Sequence, residues 1–169
     1  VETYISQYHI LQGIHFEAKE GEVSVLLGRN GAGKTTTLKT IMGLTPASKG
    51  TITFNGKDVT KLPPYDIANL GIGYVPEDQG IFGKLTVEEN MKVAIRKETD
   101  SVMQKQAYIL ELFPDLKTFW KKQGGDLSGG QKQMLAMARA FVNDSKLLLI
   151  DEPSKGLAPI VIEKVMEAI

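Results

Sequence analysis

No cysteine occurs in the 169 residues, and there is a single Trp. Disulfides and thiolate metal sites are therefore excluded, and the composition suits a reducing compartment. Histidine is scarce too: His9 and His15 have no companion residues at ligand spacing. No apolar run approaches the roughly 20 residues that span a bilayer, and no signal-peptide pattern opens the chain. Charge of one sign is also missing, with Lys+Arg and Asp+Glu at 20 each. That balance removes the basic field that would argue for nucleic acid. The expectation is one cytoplasmic domain that reaches a membrane only through a partner. Val1 is not an initiator, and the amphipathic stretch from Pro159 to Ile169 stops without a cap, so a fragment is expected.

What is present is glycine in a telling arrangement. The apolar run Val23–Leu27 leads into Gly28-Arg29-Asn30-Gly31-Ala32-Gly33-Lys34-Thr35-Thr36, and a helical pattern continues to Met42. This is GxxxxGK[ST], the Walker A pattern, between a predicted buried strand and a helix. Glycines let successive N–H groups converge on a phosphate, and the helix N-terminus adds unpaired donors. Lys34 is placed to reach the β- and γ-phosphates, and Thr35 to complete a Mg²⁺ shell. An incidental glycine turn is the competing reading, and the four fixed positions in context argue against it.

Elsewhere the pattern alternates between strand and helix. Residues 1–27 read as two or three strands with hairpin punctuation. Tyr4 and Tyr8 are candidates to stack on an adenine ring or else ordinary strand aromatics. Gly50–Lys57 reads as a strand, Pro63–Leu70 as a short helix, and Ile72–Val75 as a strand. Thr86 with Glu89 signals a capped helix through Ile95, and a second helix is predicted over Ser101–Phe113. This strand-free block, 86–126, looks like an inserted helical subdomain, with Arg96-Lys97-Glu98 a solvated face.

Two further constellations follow. Leu127-Ser128-Gly129-Gly130-Gln131 opens a helix that Ser128 can cap while the glycines leave its end open to an anion. A plain capped turn remains the bland alternative. Leu147–Ile150 then reads as a strand buried on both faces, ending in Asp151-Glu152. Asp151 is placed to hold Mg²⁺, and Glu152 to act as the base toward an attacking water.

Walker A, LSGGQ and LLLIDEP in this order resemble the ATP-binding cassette ATPases over essentially the whole chain. The resemblance implies an α/β P-loop NTPase fold, a RecA-like core with an antiparallel β subdomain and the helical insertion, in a single domain spanning 1–169. It implies a head-to-tail dimer, of identical chains or with a paralogous ATPase subunit, binding ATP and Mg²⁺. Gly28, Asn30, Gly31, Ala32, Gly33, Lys34, Thr35 and Thr36 would bind one nucleotide, while Ser128, Gly129, Gly130 and Gln131 cap it from the other protomer. Catalysis would fall to Glu152, Lys34 and Glu77, and Mg²⁺ to Thr35, Asp151 and Glu77. Tyr74–Glu77, Leu85–Asn90, Gln133–Met137 and Asp151–Pro159 are similar to the LivF-type subunit of branched-chain amino-acid importers. Urea import and lipopolysaccharide export are the alternatives. Permease subunits at the inner face of the cell membrane would dock near Glu77–Thr86, with Phe82 in that surface.

The sequence departs from the family in four places. Glu77 stands where the Q-loop usually has Gln, with Gln79 two residues late. Ala158 replaces the D-loop Asp. The adenine-stacking aromatic falls on Ile5, leaving Tyr4 an approximate match. The switch histidine lies beyond Ile169, which predicts a chain that binds ATP and hydrolyses it poorly. A DNA-maintenance ATPase would need a coiled coil or zinc insertion before LSGGQ, and none is present. A nucleotide-binding module without turnover stays open.

Overall fold

The computed structural model describes residues 1–143 and 145–152. The expectations for the 153–169 stretch, namely the Pro153–Pro159 motif, Ala158 and the terminal amphipathic helix, lie outside the described residues. The chain divides into two compact units, Val1–Ile72 and Gly73–Ile169.

In the first unit, β1 (Thr3–Ile5) and β2 (Tyr8–Leu11) form an antiparallel hairpin. Its register pairs Ile5 with Tyr8, Tyr4 with His9 and Thr3 with Leu11, so Ile10 is the extra residue of a bulge. Helix α1 (Lys34–Ile41) follows the phosphate-loop sequence and ends where Gly43 takes φ 69°. An alanine Cβ at Gly43 would come within 2.8 Å of the Leu62 carbonyl oxygen, so only glycine fits there. The expected single strand over 50–57 is instead a hairpin, β3 (Thr53–Phe54) with β4 (Lys57–Asp58). Asn55 and Gly56, at φ 48° and 75°, make the tight turn that a strand reading overlooks. Helix α2 (Pro64–Asn69) has Pro at its first position, as its sequence predicts.

The hairpin supplies two of the two or three strands expected over 1–27. One expectation in this unit fails: Val23–Leu27 forms no strand among the described residues. The run makes no backbone hydrogen bond among the described residues, and Leu27 is 89% exposed. Apolar character marks a segment that gains from burial, but a parallel-type strand is stable only once a neighbour satisfies its N–H and C=O groups.

The second unit begins within β5 (Ile72–Val75), which hydrogen-bonds to β6 (Leu147–Ile150). Gly73 is required at that contact, since a Cβ would fall 2.7 Å from Leu148 Cδ2. Between these strands lie α3 (Val87–Ala94), α4 (Asp100–Leu112), α5 (Pro114–Thr118), a 3₁₀ turn (Gly124–Asp126) and α6 (Gly129–Phe141). Thr86 and Glu89 form the expected reciprocal capping box. One core joins Val87 and Met91 of α3, Val102 and Ile109 of α4, Leu116 of α5 and Leu135 and Met137 of α6. The helical block therefore owes its shape to α6, against which its apolar faces are buried. Strand β6 is less buried than its sequence suggests: Leu149 is buried, while Leu147, Leu148 and Ile150 are half-buried.

Candidate functional site

The first unit carries the glycine loop. Gly31 and Gly33 take φ 81° and 87°, the left-handed region that keeps their N–H groups on one side of the turn. Gly33 is the N-cap of α1, and no side chain caps that end. The donors of the first helical turn thus stay available to a phosphate. Gly33 also sits against the β-hairpin, where a Cβ would lie 2.9 Å from Leu11 Cδ2. Gly28 is held close as well, since a Cβ there would lie 3.1 Å from the Ala32 Cβ.

Lys34 Nζ donates to the carbonyl oxygens of Gly28, at 2.9 Å, and Arg29, at 3.2 Å. The ammonium is folded back over its own loop, where an incoming phosphate would replace the two carbonyls. Thr35 and Thr36 are half-buried in the first helical turn, and Asn30, Gly31 and Ala32 are exposed along the loop. Thr37 anchors the turn by donating its hydroxyl to the Gly33 carbonyl oxygen at 2.9 Å.

The second unit carries the LSGGQ sequence and the acidic strand end. Ser128 Oγ accepts from the Gln131 N–H at 3.3 Å, and Gln131 Oε1 accepts from the Ser128 N–H at 2.9 Å. This reciprocal box uses acceptor oxygens only. The Ser128 hydroxyl proton and the Gln131 amide N–H groups remain as donors, and a Cβ at Gly129 would meet open space. The arrangement satisfies the plain capping reading and still presents donors suited to an anion.

The segment after β5 is tied to α6 at both ends of the helix. Gln79 Nε2 donates to the Gly129 carbonyl oxygen at 3.4 Å, and Arg139 Nη1 donates to the Gly80 carbonyl oxygen. The Arg139 guanidinium also lies 5.0 Å from the centre of the Phe82 ring. Glu77 is exposed within this segment. Sequence reasoning passed over Arg139 because a cation in the last turn of a helix looks like an ordinary dipole partner.

Asp151 follows β6, and its N–H donates to the Val75 carbonyl oxygen at 2.9 Å. The residue is 3% exposed, and its Oδ2 has no hydrogen-bond partner among the described residues. A buried carboxylate oxygen left this way is costly, and a cation would satisfy it. Mg²⁺ fits that oxygen. The Tyr74 hydroxyl is likewise buried without a partner. Burial pushes the Tyr74 phenol up to about 12, with the charges of Asp151, Asp78 and Glu77 acting in the same direction. Glu152 takes φ 54°, an unusual backbone for a non-glycine residue. No cluster of three His, Asp or Glu side chains that could hold a metal ion forms among the described residues.

Tyr4 lies in β1. Its ring stacks on His9, with centroids 4.2 Å apart and planes at 7°. Alternation along β1 sends Tyr4 and Thr3 to opposite faces, and Thr3 is the residue facing α1, through Thr40 at 3.3 Å.

The glycine loop opening a helix in the first unit and the buried acidic strand end in the second are each a signature of a P-loop nucleoside triphosphatase. The ABC transporter family model matches residues 11–155, and the chain belongs to that family. It is an ABC ATPase subunit, an enzyme that binds and hydrolyses ATP. The chain is 42% identical over its full length to a high-affinity branched-chain amino acid transport ATP-binding protein, BraG, from Pseudomonas aeruginosa, covering 73% of that protein. It is 39% identical, over 96% of its length, to a probable LivF of Archaeoglobus fulgidus, covering 70% of that protein. A lipopolysaccharide export ATP-binding protein, LptB, from Haemophilus influenzae is 34% identical over 95% of the chain and 68% of its own length. Among solved structures, an ATP-binding subunit of an ABC transporter superposes with a TM-score of 0.87 at 29% identity, over 98% of this chain and 69% of that one. No helix among the described residues is long and apolar enough to cross a membrane.

Proposed function

We propose that this ATPase energises import of branched-chain amino acids through partner permease subunits, at the inner face of the cell membrane. The observation that carries the reading is the 42% identity to BraG along the whole chain. The working unit would be a dimer, of identical chains or with a paralogous subunit. Lys34 and Thr35, with the loop Gly28–Gly33 and Thr36, would hold the triphosphate. Ser128, Gly129, Gly130 and Gln131 would donate to a nucleotide held by the second protomer, which the donors left over from the capping box support. Asp151 and Thr35 would serve Mg²⁺, whose contribution is to neutralise developing phosphate charge. Glu152 would take a proton from the attacking water, with Glu77 orienting it. Residues 86–126 would form the helical subdomain of the single nucleotide-binding domain, and Phe82 would lie in the permease-docking surface.

Uptake of radiolabelled leucine tests the transport reading, in a P. aeruginosa strain lacking BraG and supplied with this chain. Restored uptake that disappears with Glu152→Gln is expected. Rescue of an LptB-depleted strain, without leucine uptake, would move the assignment to lipopolysaccharide export, which the 34% identity to LptB keeps as the second reading.

A further inference from the structure

We propose that Tyr74 is a positioning residue for Asp151, its hydroxyl serving as the donor that orients the carboxylate when a divalent cation is held there. The assignment rests on the cation reading of Asp151 given above, and strand register carries it. Gly73 lies against Leu148, and the Val75 carbonyl oxygen accepts from the Asp151 N–H, so β5 and β6 run in the same direction. In a parallel ladder that bond sets Asp151 beside Pro76, and therefore Leu149 beside Tyr74. Neighbours across a ladder share a face, and so do residues two apart along a strand. Tyr74, Leu149 and Asp151 thus lie on one face of the strand pair. The other face carries Val75 and Ile150, which pack into the core of the helical block.

The Tyr74 hydroxyl and Asp151 Oδ2 on this face are each buried, and each lacks a hydrogen bond among the described residues. Asp151 stands two residues beyond the level of Tyr74, about 7 Å along the strands, within reach of a ring that leans in the strand direction. Burial first, then the charges of Asp151, Asp78 and Glu77, hold the proton on the phenol, so the hydroxyl stays a donor. Stability alone would favour Phe at this position, because a buried hydroxyl kept unpaired is a cost. A use in the cation-bound state accounts for the hydroxyl. A carboxylate that gives one oxygen to a metal is oriented by a donor on the other, and losing such an outer partner weakens metal affinity by about ten- to a hundredfold.

Manganese is the probe, with free Mn²⁺ followed by electron paramagnetic resonance as the full chain is titrated in the presence of a non-hydrolysable ATP analogue. Tyr74→Phe, which keeps the ring, is expected to raise the Kd for Mn²⁺ by about ten- to a hundredfold. Binding of the analogue without divalent ions should be unchanged. Turnover should climb back toward the wild-type kcat as metal is raised, so that the metal requirement shifts and the ceiling does not. The proposal is overturned if Tyr74→Phe binds Mn²⁺ as tightly as wild type, or if metal-free analogue binding weakens in step. A lower metal-free melting temperature for Tyr74→Phe would mark a structural role and overturn it too. A wild type that takes up no Mn²⁺ beyond that held by the analogue alone would overturn the cation reading of Asp151 itself, and this assignment with it.

Discussion

Asp151 and Tyr74 stand next to each other in the energetics of the second unit, each with a buried oxygen that lacks a partner among the described residues. Removing the Tyr74 hydroxyl should be neutral or stabilising, by about 1 kcal/mol, because an unsatisfied polar group is deleted with little change of shape. The fold also holds the phenolic proton more tightly than the unfolded chain, with the phenol near 12 against an ordinary 10.0. Its contribution is therefore fully present below pH 10.0 and is lost as pH rises through about 12. Chemical denaturation across that alkaline range should show a shallower fall for Tyr74→Phe than for wild type. Asp151→Asn should raise the melting temperature measured without divalent ions, at about 2–4 °C per kcal/mol of relieved charge burial, and should abolish ATP turnover. An unchanged melting temperature would mean the carboxylate is already satisfied.

Among the elements, the loop after β5 is the one built most deliberately. Asn90 of α3 is fully buried and serves the loop with both ends of its amide. Its Oδ1 accepts from the Phe82 N–H at 3.0 Å, while Nδ2 donates to the carbonyl oxygens of Phe82 at 3.0 Å, Leu85 at 3.2 Å and Thr86 at 3.0 Å. Asn90→Ala would leave several of these groups unpaired and should cost about 2–3 kcal/mol in denaturant unfolding. Arg139 acts on the same loop from α6, and Arg139→Met should keep the apolar stem in place while releasing the Gly80 carbonyl. In the proposed transporter, that variant should lower turnover more than it lowers stability. The helix signals in this region were legible because capping and proline rules act within a few residues: Thr86–Glu89, Ser128–Gln131 and Pro64 all appear where their spacing predicts. The Asn55–Gly56 hairpin was equally local and was missed only because the flanking residues were read as one strand. The loop's attachment to α6 was not legible, since Gln79 and Gly129 are 50 positions apart in the sequence.

For the whole molecule, the proposed dimer would bring a nucleotide to the donors left over at Ser128 and Gln131, and it fixes how activity should scale. Steady-state Mg-ATP turnover should rise faster than linearly with protein concentration at the dilute end, and Glu152→Gln should remove turnover while ATP binding persists. Turnover strictly proportional to concentration down to the lowest usable level would argue for a monomer or for a dimer that never dissociates. Sedimentation velocity at the same concentrations separates those two.

Taken by itself, the sequence determined the chemistry of this chain. GxxxxGK[ST], LSGGQ and the acidic strand end each encode a backbone shape or a charge within a few residues, and short-range rules suffice to read them. Tertiary structure decided what depends on a partner distant in sequence. Val23–Leu27 is apolar yet unpaired among the described residues, because a strand needs a neighbour that composition cannot name. Tyr4 and Tyr8 look alike in the sequence, and strand pairing separates them: Tyr4 opposes His9 and Tyr8 opposes Ile5, and neighbours along a strand alternate between faces.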